Sequence, residues 1–151
     1  MRDRLRLPAL LLGAGLAAAC TEPLRPDDVL GTYTLQVVAG EPLPAVVDSS
    51  SPLIVRVLAD TLRMAVDGRG RRVRIVQNEY PTGGAPTDTV RWESPLSYWL
   101  VERRIEMYIC PWDADCVFPT VIARPTAGGL RVVVAAGQRV PQDYVRLTSS
   151  P

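Results

Sequence analysis

The sequence predicts an all-β fold, a small antiparallel, meander-like barrel of about 8–10 strands that follows an N-terminal leader. Three observations carry this. Beyond Val29, apolar and polar residues alternate at a period of two, the pattern of strands with one wet face. Prolines at 42, 44, 52, 81, 86, 95, 111, 119, 125 and 141 interrupt the chain too often for helices. Turn signals punctuate the alternating runs, Asp67-Gly68-Arg69-Gly70 and Gly128-Gly129 above all. Alternation alone does not separate a barrel from two stacked sheets; closure is preferred because it removes exposed strand edges.

The elements follow in order. Gly31 to Val38 places Tyr33, Leu35 and Val37 on one face, and Gly40-Glu41 turns the chain into Leu43 to Val47. Val55 and Val57 share a face, Ala59-Asp60 reads as a turn, and Leu62, Met64 and Val66 share the next face. Arg71 to Tyr80 is a strand with Val73 and Ile75 inward and Arg72 and Arg74 outward. After the Pro81 to Pro86 loop, Thr87 to Glu93 sets Val90 and Trp92 on its apolar side. Tyr98 to Val101 and Arg104 to Cys110 flank a Glu102-Arg103 turn, with Ile105, Met107 and Ile109 alternating against Glu106 and Tyr108. Val117 to Arg124, Leu130 to Ala135 and Tyr144 to Leu147 complete the set. The expected core is Val55, Val57, Leu62, Met64, Val73, Ile75, Trp92, Ile105 and Leu130, filled, with at most a narrow cleft.

Residues 1–19 read as a secretory leader. Three arginines precede the apolar stretch Leu7 to Ala19, which ends in small residues and is too short to span a bilayer comfortably. The run Leu16-Ala17-Ala18-Ala19-Cys20 resembles the lipobox of bacterial lipoproteins, with the leucine one place early. The resemblance implies acyl chains on Cys20, a membrane partner and an envelope address. Thr21 after the cysteine resembles an outer-membrane rather than an inner-membrane signal. Residues 20–28, with their prolines and acids, are expected to be an acylated terminus and tether, and residues 29–148 one domain.

The opening Gly31-Thr-Tyr33-Thr-Leu35, then Gly40-Glu-Pro-Leu43-Pro44, and the Leu62-Arg-Met64 run leading to Asp67-Gly68 together resemble small bacterial lipocalin-like lipoproteins. The resemblance implies a barrel whose first strand begins with a glycine–aromatic pair that helps close the floor. Tyr33 stands where true lipocalins usually carry tryptophan.

Composition narrows the chemistry. The chain has 151 residues, 17 arginines and no lysine, 16 acids, no histidine and three cysteines. The length suits one domain. Without histidine, the usual neutral-pH acid/base, the commonest metal ligand and the serine–histidine and cysteine–histidine nucleophile systems are gone. Loss of the leader removes three of the 17 arginines and one of the 16 acids, which leaves a net charge of about −1 and no basic face for nucleic acid. No cofactor or metal is expected.

Cys110 and Cys116 are the one pair left in an oxidising compartment, and a disulfide between them is expected to clasp a hairpin tip. Trp112 inside that loop, with Trp99 and Tyr98, are candidate contact residues for a partner. Arg69, Arg71, Arg72 and Arg74 are expected on solvated faces in weak cross-strand pairs. The expected function is non-catalytic: an envelope-anchored domain that holds a small apolar ligand or touches another envelope protein. A structural or assembly lipoprotein with a filled core is the alternative. Enzymatic use of Asp113 with Asp115, or of Glu102 with Glu106, is a remote third reading.

Overall fold

The computed structural model describes residues 23–49, 53–81, 87–109, 121–134 and 140–147. Among these residues there are ten strands: β1 (Gly31–Val38), β2 (Glu41–Pro42), β3 (Ala45–Asp48), β4 (Ile54–Met64), β5 (Arg69–Glu79), β6 (Asp88–Val101), β7 (Arg104–Ile109), β8 (Val121–Thr126), β9 (Gly129–Val134) and β10 (Gln142–Leu147). They form one antiparallel sheet in the order β2-β1-β10-β9-β8-β7-β6-β5-β4-β3. A further pairing of β1 with β4 closes the sheet on itself. The result is an eight-stranded meander barrel of β1 and β4 to β10, with β2 and β3 as appendages. Closure decides the question that alternation left open, in favour of the barrel over the sandwich.

The two ends differ. β4–β5, β6–β7 and β8–β9 are joined by four, two and two residues, whereas β5–β6, β7–β8 and β9–β10 are joined by eight, eleven and seven. In an up-and-down meander, alternate connections emerge at opposite ends, so all the tight turns share one end and the long connections the other. The tight-turn end is also plugged from within. A one-turn helix, α1 (Pro26–Val29), starts with proline at its first position and buries Val29 completely. The Tyr33 hydroxyl donates to the Val29 carbonyl at 2.9 Å, and the Arg146 guanidinium lies 6.0 Å over the Tyr33 ring. Gly31 opens β1 at φ +138°, a conformation that favours glycine. The glycine–aromatic start of β1 thus does close the floor.

The expected tether, residues 20–28, is described from Pro23 onward. Leu24 packs against the core and its N–H donates to the Glu102 carbonyl at 3.2 Å, so the chain is fixed to the barrel from that residue onward.

Two bulges set which residues face inward. In β1 the register with β10 shifts between Leu35 and Val37, so Tyr33, Leu35 and then Val38, not Val37, are buried. In β4 the register with β5 shifts between Val57 and Ala59. Val57 faces in before the shift; Asp60, Leu62 and Met64 face in after it. The expected Ala59-Asp60 turn is therefore a bulge inside one 11-residue strand. Likewise, the two runs around Pro95 form one 14-residue β6. Among the described residues, only β5 pairs with this strand through Pro95 and β7 joins from Leu96, so the missing proline N–H falls where the second described partner begins.

The core is built from Val57, Leu62, Met64, Ile105 and Leu130, as expected, with Leu35, Leu96, Met107, Val121, Ala123 and Val132. Val55 packs partly against it. Three expectations are corrected. Val73 and Ile75 lie on the outer face, Trp92 is 59% exposed, and Arg72 and Arg74 point inward. Register is the cause: Gly70, Arg72, Arg74 and Val76 pair with the inward residues Met64, Leu62, Asp60 and Val57, and directly paired residues share a face.

The expected disulfide is also corrected. Among the described residues no cysteine pair stands at disulfide distance, and the barrel described closes without one. Cys20, Cys110, Cys116 and Trp112 lie outside the described residues.

Candidate functional site

The β4 bulge delivers a carboxylate to the barrel interior. Asp60 has no exposed surface, and each of its oxygens is occupied. Arg72 Nε lies 3.1 and 3.0 Å from Oδ1 and Oδ2, and its Nη2 lies 2.5 Å from Oδ2. Arg74 Nε donates to Oδ2 at 2.6 Å. From β10, the Tyr144 hydroxyl reaches the same oxygen at 3.0 Å, with Gln142 Oε1 3.2 Å away. Arg74 Nη2 donates to Gln142 Oε1 at 2.9 Å and so ties β5 to β10. Among the described residues no fully buried side-chain nitrogen or oxygen lacks a partner. A buried charge network is tolerated only on that condition.

The electrostatics are those of a buried, cation-rich cluster. Burial pushes the Asp60 carboxyl above the usual carboxylate range, opposed by Arg72 and the Tyr144 hydroxyl. Burial also drives the Tyr144 phenol upward, outweighing the pull of Arg72, and keeps it neutral. For Arg72, burial acts to lower the pKa, but Tyr144 and Asp60 leave it raised and the guanidinium charged. Two guanidiniums face one carboxyl, so the cluster carries excess positive charge in either protonation state of Asp60.

The cluster opens to one side. Asp60 pairs with Arg74 across β4–β5, and Arg74 pairs with Trp92 across β5–β6. Along this inward-facing row exposure rises from 0% at Asp60 through 20% for the Arg74 side chain to 59% at Trp92. The rise occurs where, among the described residues, β6 is paired by β5 alone. Toward the tight-turn end the interior is filled by buried Leu62, Met64, Leu96, Tyr98, Ile105 and Met107.

The sequence-predicted contact residues separate. Tyr98 is buried and its hydroxyl donates to the Ala65 carbonyl at 2.5 Å, so it builds the barrel end. Trp99 is 55% exposed on the outer wall, edge-on to Tyr108 with centroids 4.8 Å apart. Neither is near Asp60 in register. Glu106 is ion-paired to Arg104 at 2.6 Å and does not pair with Glu102. Asp113 and Asp115 lie outside the described residues. Among the described residues no group of three or more metal-ligating side chains comes together.

The sequence alone assigns Asp60 to a turn and Arg72 and Arg74 to solvated faces, and it singles out neither Gln142 nor Tyr144 as a site residue. One signal was present. The inward positions change from odd (55, 57) to even (62, 64) across Ala59-Asp60, which lacks the glycine or asparagine that a two-residue hairpin favours. A change of parity without turn residues marks a bulge.

No protein-family model matches the chain, and neither a curated protein nor a solved structure does. The lipocalin-like likeness accordingly rests on architecture: an eight-stranded antiparallel meander, plugged at one end and carrying its long connections at the other.

Proposed function

We propose that this is a non-catalytic, envelope-anchored binding barrel, acylated at Cys20. It takes a small molecule with an apolar body and an anionic group into the long-connection end. The observation that carries the reading is the row Asp60–Arg74–Trp92, in which a guanidinium that already has a carboxylate partner stands beside an exposed aromatic ring on the inner face. A barrel kept only for structure gains more from aliphatic filling than from a buried cluster with surplus charge. A carboxylate or phosphate guest would balance that surplus through charge-assisted hydrogen bonds, and Trp92 would cover its apolar part. The absence of histidine supports a holding rather than a transforming role.

The binding test compares laurate with dodecanol, which share a chain and differ in charge, and reads Trp92 fluorescence as the difference between the native protein and Trp92→Phe. Laurate should give a saturable change that weakens about tenfold or more in Arg74→Gln, because hydrogen bonds to charged groups are worth about 1.5–3 kcal/mol. Equal response to both probes, or to neither, overturns the reading. For the address, Cys20→Ser should abolish metabolic labelling by palmitate; unchanged labelling overturns it.

A further inference from the structure

A second cationic feature lies at the opposite end of the barrel. The β6–β7 turn and the end of β8 enclose a surface cleft of about 370 Å³ lined by Val101, Glu102, Arg103, Arg104, Arg124 and Pro125. Arg103, Arg104 and Arg124 are exposed, and among the described residues Glu102 is the one acid in the lining. Arg104 is paired with Glu106, while neither Arg103 nor Arg124 has a carboxylate within ion-pair distance among the described residues. Other acids at this end are engaged in their own local contacts: Asp28 of α1 accepts from the Arg25 backbone N–H at 2.8 Å, and Asp67 of the β4–β5 turn accepts from the Arg69 backbone N–H at 3.1 Å.

The amino-terminal chain meets the barrel at this cleft. Leu24 bonds to the carbonyl of Glu102, a lining residue. Three residues, Thr21, Glu22 and Pro23, separate Leu24 from Cys20. Fully extended, that stretch reaches at most about 14 Å. An acylated Cys20 would therefore hold the cleft within about 14 Å of the bilayer surface, on the order of one to two Debye lengths, where arginine is attracted to anionic headgroups. On the neighbouring outer wall, Trp99 pairs with Glu106 two residues along β6 from the Val101–Arg104 pair, or about 7 Å. A half-exposed tryptophan at that height suits the membrane–water interface.

From this juxtaposition of tether, cleft and tryptophan, we infer that the tight-turn end lies against the membrane and that Arg103 and Arg124 bind the phosphate of an anionic phospholipid in the cleft. The inference rests on the Cys20 anchor proposed above. It also orients the molecule: the long-connection end, with Trp92 at its opening, points away from the bilayer.

The test uses the full chain purified from membranes and reconstituted into vesicles of phosphatidylcholine, with or without phosphatidylglycerol. Trp99 quenching by a headgroup-level lipid quencher is read as the difference between the native protein and Trp99→Phe. Phosphatidylglycerol should increase this quenching, and Arg103→Gln with Arg124→Gln should abolish the gain. Both substitutions are at exposed positions, and an unchanged thermal unfolding midpoint establishes that the fold is intact. Quenching that ignores phosphatidylglycerol, or a gain that survives the double substitution, overturns the inference. Intact mass reports the anchor separately. A chain without acyl groups defeats the anchor reading, while an arginine-dependent phosphatidylglycerol response from that same chain would still uphold the cleft.

Discussion

Asp60 and Arg74 face each other across β4 and β5 inside the barrel, with Oδ2 and Nε 2.6 Å apart. Neither position looks interior by residue type, yet the pair and its neighbours Arg72, Gln142 and Tyr144 join three strands. Removing one partner of such a pair leaves the other charge buried and uncompensated. Asp60→Asn should destabilise the fold by about 3–5 kcal/mol in chemical denaturation. A loss below about 1 kcal/mol would show that the guanidiniums find other partners or water.

Alkali should unfold the protein through its buried phenols. Burial raises Tyr33, Tyr98 and Tyr144 above the ordinary tyrosine value of 10.0, with Arg146 opposing at Tyr33 and Arg72 at Tyr144. Below that value the phenols are neutral in both folded and unfolded chains, and pH has no effect through them. Above it the unfolded chain ionises while the folded chain keeps its protons, so stability falls as pH rises. Denaturation midpoints should fall progressively as pH rises above about 10. Phenolate absorbance of these residues should appear together with unfolding, and earlier, independent ionisation would contradict their burial.

Adjacent glycines in the β8–β9 turn should respond differently to alanine. A Cβ on Gly129 would collide with the Tyr144 carbonyl on β10, whereas one on Gly128 meets nothing within 4 Å. Gly129→Ala should cost about 1–3 kcal/mol or more by overpacking against backbone that cannot yield. Gly128→Ala should stay within about 0.5 kcal/mol. Thermal melts of the two variants, side by side, check the contrast.

The floor of the barrel depends on one phenol. Tyr33→Phe removes the hydrogen bond to the buried Val29 carbonyl and should cost about 1 kcal/mol. Tyr33→Ala also empties the space under the ring and should cost about 3–5 kcal/mol, by analogy with other aromatic truncations. If the two variants lost the same stability, the ring would contribute nothing to the plug.

Most strand positions, the Asp67–Gly70, Glu102-Arg103 and Gly128-Gly129 turns, and the core residues Val57, Leu62, Met64, Ile105 and Leu130 were legible in the sequence, because they follow from local alternation and turn chemistry. The faces of β5 were not. Val73 and Ile75 look interior and Arg72 and Arg74 exterior when the strand is read alone. Pairing with β4 reverses this, since a one-residue change of register turns every side chain to the other face. Trp92 differs for a related reason: it occupies an inward position, but among the described residues β6 has one partner there and the ring is exposed.

The sequence by itself determined an all-β meander, through a period of two that no helix tolerates and turns too tight for crossovers. Tertiary structure alone decided that the sheet closes by pairing β1 with β4, and that a bulge rotates Asp60 inward to meet two arginines. Both depend on contacts between residues far apart in the chain. Alternation records only that a strand has two faces; the neighbouring strands choose which of them becomes the inside.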